Sequence, residues 1–273
     1  RCQKSFSAEI INAQSYLNSY ILMNSHKPLV TIVTVVYNAE KTISDTINSV
    51  LSQTYENIQY IIIDGGSTDG TLKEIDYISK NIDIFITETD NGIFDAMNKG
   101  LLLATGRYIN FMNSGDLFAH NKVVENIFTE NTFEADFIYG DTIGNKEGRL
   151  KLQKAHPFFE KAGINVMGIC HQSIFINTTL VQKYAFDTNF YLTADYKLIY
   201  LIFKNESPSV FYFNSPISIF DASYGITSIQ YQKTFREIIA IYSSRSVVWK
   251  FIFIIKANVR YAVSSSWKFV KNL

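Results

Sequence analysis

What this 273-residue chain lacks narrows its chemistry before any motif is read. It has only two cysteines, Cys2 and Cys170, too few for a disulfide framework or a cysteine metal cluster. Both thiols are read as packing groups, and reducing, cytoplasmic conditions suit the composition. It has no excess charge: Lys and Arg number 25, as do Asp and Glu. With no basic run in the first half, it lacks the electrostatic footprint of a nucleic-acid-binding protein. No stretch reaches the ~20 apolar residues of a membrane-spanning helix. No signal peptide is expected, because Ile10 to Met23 is interrupted by Asn, Gln and Ser. There is no internal repeat and no low-complexity linker.

What is present is apolar and aromatic. Hydrophobic residues make up 47%, including 21 Phe and 17 Tyr, which supplies a sizeable core. Ile10, Ala13, Leu17 and Ile21 recur at helical spacing, so residues 1–27 read as an amphipathic N-terminal segment. Leu29 to Val36 is β-branched and almost wholly apolar, the mark of a strand buried on both faces. A helix is expected from about Glu40 to Gln53, a strand over Ile58–Ile63, a helix over Thr71–Ser79, a strand over Asp83–Thr87, a helix over Ile93–Ala104 and a strand from Tyr108 to Met112. This β-α-β-α-β-α-β order predicts an α/β fold with a mostly parallel sheet flanked by helices. Each strand runs into a loop rich in Asp, Asn, Gly or Ser, and those loops must share the sheet edge where open α/β folds bind ligands.

Beyond this core the alternation weakens. A helix is expected over Asn121–Phe128, a strand over Phe137–Tyr139, a hairpin over 143–153, a strand over Ser173–Ile176, a helix over Thr193–Phe203, and strands over Val210–Phe213 and Ile217–Phe220. From Arg245 onward six basic residues, no acid and both tryptophans occur together. That basic segment reads as a peripheral membrane contact within a C-terminal amphipathic helical extension, residues 229–273. The main domain is expected over 28–228.

Several residues stand where ligand chemistry is expected. The first strand leads into Tyr37-Asn38-Ala39-Glu40, with no G-x-G-x-x-G, which argues against a nicotinamide dehydrogenase. Asp64 follows a run of apolar positions and is placed to accept from a ribose hydroxyl or a base N–H. Ser67 and Asp69 read as helix-capping groups. Asp95, Asn98 and Lys99 form a polar stripe at the start of a helix, where anions are favoured. Asp116 closes the polar turn Asn113-Ser114-Gly115-Asp116 after the fourth strand. Asp141 ends a strand and is a candidate to face an acceptor. His171-Gln172 precedes another strand and is placed to line a donor or acceptor pocket. His120 and His156 read as incidental.

Taken together, Pro28 to Glu40, Ser49 to Tyr55 and Ile63 to Thr71 resemble glycosyltransferase family 2, the large inverting family with the GT-A fold. Asp90 to Gly100 and Asn113 to Asp116 resemble its bacterial branch that builds capsules, exopolysaccharides and O-antigens. The resemblance is strong from Pro28 to Asp141 and weaker through Tyr224 to Ser228. It implies a nucleotide-diphospho-sugar donor, with Tyr37, Asn38, Glu40 and Asp64 around the nucleoside; by their own positions Asp95, Asn98 and His171 are expected to line the rest of its site. Asp116 stands at the last acid of the family's D-x-D metal motif, which implies a divalent ion, Mg²⁺ or Mn²⁺. Asn113 and Gly115 replace the acids usual there. One carboxylate, water and the donor phosphates still suffice for such an ion. The family's base is commonly the second acid of a Glu-Asp pair opening a later helix. Here the pair is Ala194-Asp195, so Asp195 is the expected base.

The implied reaction moves a sugar, with inversion, onto a hydroxyl of a saccharide or polyprenyl-linked saccharide acceptor, at the inner face of the cell membrane. Two rival readings stand beside it. The depleted metal motif suits a non-catalytic sugar-nucleotide-binding module. A nucleotidyltransferase wants a Gly-rich, basic phosphate loop after the first strand, which is absent.

Overall fold

The computed structural model describes residues 27–129, 135–155, 169–221 and 231–242. The expectations for residues 1–26 and 245–273 lie outside the described residues.

Four parallel strands form the heart of the sheet: β1 (Val30–Val36), β2 (Ile58–Asp64), β3 (Ile84–Thr87) and β4 (Tyr108–Phe111). β1 pairs in register with β2 on one side and β4 on the other, Val33 meeting Ile61 and Phe111. Every residue of β1 is buried, as its unbroken apolar run requires. The remaining strands are β5 (Leu117–Phe118), β6 (Phe137–Lys146), β7 (Arg149–Gln153), β8 (Ile174–Asn177) and β9 (Val210–Asp221). Their order across the sheet is β3-β2-β1-β4-β8-β6-β9-β5, with β7 paired to β6. β8 runs antiparallel to both β4 and β6, so β6 points the same way as β1 to β4, and β9 runs parallel to β6. The expected mostly parallel α/β sheet is thus present.

Helices cover both faces. Beside one face lie α1 (Ile43–Leu51), α2 (Thr71–Ile78) and α4 (Val123–Thr129), with Ile43, Ile47, Ile75 and Ile127 buried against Val30, Ile32 and Ile62. On the other lie α3 (Ile93–Leu103), α5 (Thr178–Tyr184) and α6 (Ala194–Glu206). There Met97, Leu101, Val181 and Ile199 pack with Val33, Ile61 and Ile63. At Gly100 a Cβ would stand 2.4 Å from Val33 Cγ1, so glycine lets α3 sit this close to the sheet.

The structure differs from expectation at a few places. Asn38 and Glu40 form loop ties, and α1 begins only at Ile43. The two short strands expected over 210–220 are one, β9, which carries Pro216 through a register irregularity opposite Gly140, Asp141 and Thr142. Helix α5 was not expected, although Asn177 caps it by accepting from the Thr179 N–H at 3.1 Å. The described start of the C-terminal extension is a helix, α7 (Tyr231–Ile241), packed on α6 through Tyr196, Ile238, Ile241 and Tyr242. Among the described residues no helix is long and apolar enough to cross a membrane.

Candidate active site

The carboxyl ends of β1, β2 and β4 open onto one edge, and their loops are tied to one another. Asn38 accepts from the Thr68 N–H at 2.8 Å, and its own N–H donates to Ser67 Oγ at 2.8 Å. Asn38 holds a left-handed φ of 47°, which asparagine tolerates better than most residues. Glu40 accepts from the Gly70 N–H at 2.9 Å. Asp69, just before α2, accepts from the Thr71 N–H at 3.0 Å, and Ser67 donates to Asp64 Oδ1 at 2.5 Å rather than capping the helix, whose N-cap is Gly70. Asp64 is wholly buried. Its carboxylate also accepts from the N–H groups of Gly66 and Ser67 and from Thr87 Oγ1. These contacts make Asp64 the organiser of the loop floor. Tyr37 beside them is 62% exposed, an open ring at the mouth.

The start of α3 divides the residues expected there. Asp95 accepts from the Asn91 N–H at 2.9 Å and so closes the turn before the helix. Asn98 works differently: its Nδ2 donates to Phe186 O at 2.8 Å and its Oδ1 accepts from the Phe186 N–H at 2.8 Å. Both ends of that amide are engaged in holding the segment after α5 against α3. Lys99 pairs with Glu88 at 2.8 Å.

The turn after β4 meets the segment before β8. Gly115 takes a φ of 96°, which the backbone needs to bring Asp116 back toward the sheet. The Gly115 N–H donates to Thr46 Oγ1 at 2.9 Å, pinning the turn to α1. Asp116 is buried, and its Oδ2 accepts from Gln172 Nε2 at 2.7 Å. Asn113 Nδ2 lies 3.0 Å from His171 Nε2. On the other side of the same ring, His171 Nδ1 lies 3.4 Å from Asp195 Oδ2. With the Asn113 amide donating, Nε2 accepts and Nδ1 carries the proton toward Asp195. Burial opposes charge on this ring. The hydrogen bond to Asp195, with the charges of Asp195 and Asp116, outweighs it and holds the imidazole pKa above its ordinary value. An apolar cavity lined by Met97, Phe111, Ile174, Phe186 and Leu198 backs His171 and Asp195.

Asp195 lies in the first turn of α6. The loop before it is held by Glu237 of α7, whose carboxylate accepts from the N–H groups of Tyr191 and Leu192 and from Thr193 Oγ1 at 3.2, 2.9 and 2.9 Å. Asn110, a polar residue inside β4, donates through Nδ2 to Gln172 O at 2.9 Å and Ile174 O at 2.8 Å. It fixes the backbone that carries His171 and Gln172. Asn110 and Glu237 escaped the sequence reading. The first was visible as a polar break in an apolar strand; the second had no local signal.

Asp141 was a candidate to face an acceptor. It is buried and fully engaged: Lys154 Nζ at 2.7 Å, the Ala155 N–H at 3.0 Å and Tyr212 Oη at 2.7 Å all donate to it. Cys170 is a free thiol, and burial pushes its pKa up to about 11, in keeping with packing.

The donor set suits a hard cation. Asp116 offers a carboxylate, and the nearby Asn113 Oδ1 is buried with no hydrogen-bond partner among the described residues. Oxygen donors of this kind fit Mg²⁺ or Mn²⁺. Among the described residues no group of three His, Cys, Asp or Glu side chains forms a protein-only metal cage. Such an ion would share its coordination with the phosphates of a bound ligand.

Comparison with known proteins agrees with the geometry. The sequence profile of glycosyl transferase family 2 matches residues 31–198. WfgD of Escherichia coli, a UDP-Glc:α-D-GlcNAc-diphosphoundecaprenol β-1,3-glucosyltransferase, is 31% identical over 184 residues, 66% of this chain and 72% of WfgD. The putative teichuronic acid biosynthesis glycosyltransferase TuaG of Bacillus subtilis is 39% identical over 104 residues, 37% of this chain and 41% of TuaG. For TuaG and an uncharacterized Haemophilus influenzae glycosyltransferase, the match spans only about two fifths of the relative's length. In fold, the chain is similar to S. aureus TarS 1–349 in complex with UDP, with a TM-score of 0.60 and 15% identity over 78% of this chain and 64% of that one. It is likewise similar to the mannosyltransferase PcManGT of Pyrobaculum calidifontis in complex with GDP-Man and Mn²⁺, with a TM-score of 0.61 and 13% identity over 80% of this chain and 64% of that one.

Proposed function

The chain belongs to glycosyl transferase family 2, and on that premise we propose that it transfers a sugar, with inversion, from a nucleotide-diphospho-sugar to a hydroxyl of a saccharide or polyprenyl-linked saccharide acceptor in surface polysaccharide synthesis. The observation that carries this reading is the contact series at the sheet edge. Asn113 and Asp195 meet opposite nitrogens of one imidazole, which joins the turn bearing Asp116 to a carboxylate at the start of α6.

The donor nucleoside lies against the tied loops of Tyr37, Asn38, Glu40 and Asp64. Asp95 and Asn98 set the start of α3 beside it. The diphosphate lies toward Asp116. Asp116 and Asn113 Oδ1 would hold a divalent ion, which would neutralise phosphate charge. Asp195 takes the proton from the acceptor hydroxyl. The freed oxygen forms a bond to the anomeric carbon on the face opposite the nucleotide, and the bond from that carbon to the phosphate oxygen breaks. The nucleoside diphosphate leaves with the electron pair, so no covalent sugar–protein intermediate is required. A general base of this kind contributes about 10²–10⁴-fold. His171 keeps the Asp195 carboxylate turned toward the crevice. The apolar cavity behind the pair keeps water from that side. The basic, tryptophan-bearing segment 245–273 serves as the peripheral contact with the inner face of the membrane, where a lipid-linked acceptor is presented.

The test is a thermal-shift screen of the full chain against UDP, GDP and other nucleoside diphosphates, each with and without Mn²⁺. A metal-dependent rise in melting temperature with one base is expected. No shift with any nucleoside diphosphate overturns the reading. Transfer or donor hydrolysis with the matching sugar nucleotide then separates an enzyme from a silent binding module.

A further inference from the structure

The loop that leads into Asp195 carries an exposed aromatic ring. Four residues before Asp195, Tyr191 is 48% exposed. Its ring rests near Gly92, where a Cβ would lie 3.5 Å from Tyr191 Cε2. The ring therefore stands between the loop that opens α3 and the loop that leads into α6. Lys233, on α7, places its ammonium 4.2 Å from the centroid of the Tyr191 ring. Lys233 is exposed, and no described carboxylate forms an ion pair with it. Its helix neighbour Glu237 is occupied by the backbone of Tyr191 and Leu192 and by Thr193. That clamp ties α7, which carries Lys233, to the loop that carries Tyr191 and leads into α6.

We propose that Tyr191 and Lys233 form an acceptor subsite for a saccharide whose reducing end carries a diphosphate. This rests on the transferase reading above, which makes Asp195 the base. A base that deprotonates an acceptor hydroxyl stands between donor and acceptor. Asp195 reaches the turn that bears Asp116 through His171 and Asn113, and the exposed ring of Tyr191 lies four residues before it, on the loop that Glu237 holds. The chemistry of the pair fits such an acceptor. The C–H face of a pyranose packs on an aromatic ring, which offers a large, rigid surface at low entropy cost. An exposed ammonium with no carboxylate on it among the described residues is open to an anion, and lysine binds phosphate as a point charge. An aromatic ring with a cation beside it thus selects a sugar attached to a phosphate over an uncharged glycoside.

The experiment is equilibrium binding to the full chain with Mn²⁺ and saturating nucleoside diphosphate present. The probes are a panel of hexoses and N-acetylhexosamines linked through diphosphate to a decyl chain, each with its uncharged decyl glycoside. At least one diphosphate-linked probe is expected to bind about tenfold more tightly than its uncharged counterpart. Lys233→Gln should erase that preference. Tyr191→Leu should weaken both probes by about fivefold to tenfold, and Tyr191→Phe should bind as the wild type does. The nucleoside-diphosphate thermal shift should persist in all three variants. A preference that survives Lys233→Gln, a Tyr191→Leu variant that binds normally, or a wild type that binds no member of the panel overturns the subsite. Loss of the nucleoside-diphosphate shift in the wild type is a different failure, and it overturns the transferase reading on which the subsite rests.

Discussion

His171 Nδ1 stands 3.4 Å from Asp195 Oδ2, while the opposite nitrogen of the same ring meets Asn113. A carboxylate in the first turn of a helix has several rotamers open to it. The Tyr196 N–H, which donates to Oδ1 at 2.8 Å, and the imidazole at Oδ2 together select one of them, and the imidazole links it to the turn that carries Asp116. Two separate effects follow, one on proton transfer and one on orientation.

In the proposed mechanism Asp195→Asn removes the proton acceptor and keeps the side-chain shape. Transfer should fall by about 10²–10⁴-fold, while the nucleoside-diphosphate thermal shift stays as in the wild type. An active Asn variant would show that the base lies elsewhere. His171→Leu keeps bulk and removes both ring contacts. It should lower kcat by about a hundredfold, the cost of a base misplaced by about 1 Å, with little change in donor KM. An equal loss in kcat and in donor affinity would mean that His171 lines the donor site directly.

Asp116 and Gln172 give a second pair of expectations. Asp116→Ala should abolish the part of nucleoside-diphosphate affinity that depends on Mn²⁺, measured by calorimetry with and without a chelator. Gln172→Leu should leave Asp116 without its 2.7 Å donor and weaken the same affinity about tenfold to a hundredfold, the usual effect of removing a partner that orients a metal ligand. Metal-dependent affinity unchanged in Asp116→Ala would remove this carboxylate from the metal site.

Much of this arrangement was legible in the sequence, for a physical reason. Parallel strands covered on both faces must be apolar throughout, so β1, β2 and β4 announce themselves, and short connections force their polar ends to one edge. Asp64, Asp116 and Asp195 stood out as candidates because each is an acid at the end of an apolar run or at a helix start. Their partners were harder to see. Gln172 reaches Asp116 across 56 positions and Glu237 reaches Leu192 across 45, and no local pattern encodes a contact of that span. Asn98 looked like part of a polar stripe. Only the position of Phe186 shows that both ends of its amide hold a distant backbone segment. β9 read as two strands because Pro216 lacks an N–H for the ladder. The register irregularity opposite Gly140 to Thr142 is what lets one strand run through.

Glu237 predicts a role for the C-terminal helix in catalysis. Glu237→Ala frees two backbone N–H groups and the Thr193 hydroxyl just before Asp195. Losing hydrogen bonds to a charged acceptor should cost about 1.5–3 kcal/mol of stability, read as a lower denaturant midpoint. Because the freed loop leads into α6, kcat should fall more than donor KM rises. A variant with lowered stability but normal kcat at low temperature would confine Glu237 to a structural role.

Asp141 predicts how stability depends on pH. Burial would raise its carboxyl pKa, but the Lys154 ammonium, the Ala155 N–H and the Tyr212 hydroxyl outweigh that, and the folded value lies below the ordinary one. The sign follows from linkage. A group whose pKa is lower when folded binds fewer protons in the native state, so its stabilisation is complete above the unfolded value of about 4 and is lost as pH falls toward the folded value. Asp141→Asn should therefore lower the urea midpoint at pH 7. The gap between variant and wild type should narrow as pH falls from about 5 to about 3. Asp141→Leu, which also strands the Ala155 N–H and Tyr212 Oη, should cost about 2 kcal/mol or more at pH 7. Because Asp141 is fully engaged with protein donors, the nucleoside-diphosphate thermal shift should persist in the Asn variant. A gap that stays constant from pH 7 to pH 3 would show that the carboxylate's charge contributes nothing to the fold.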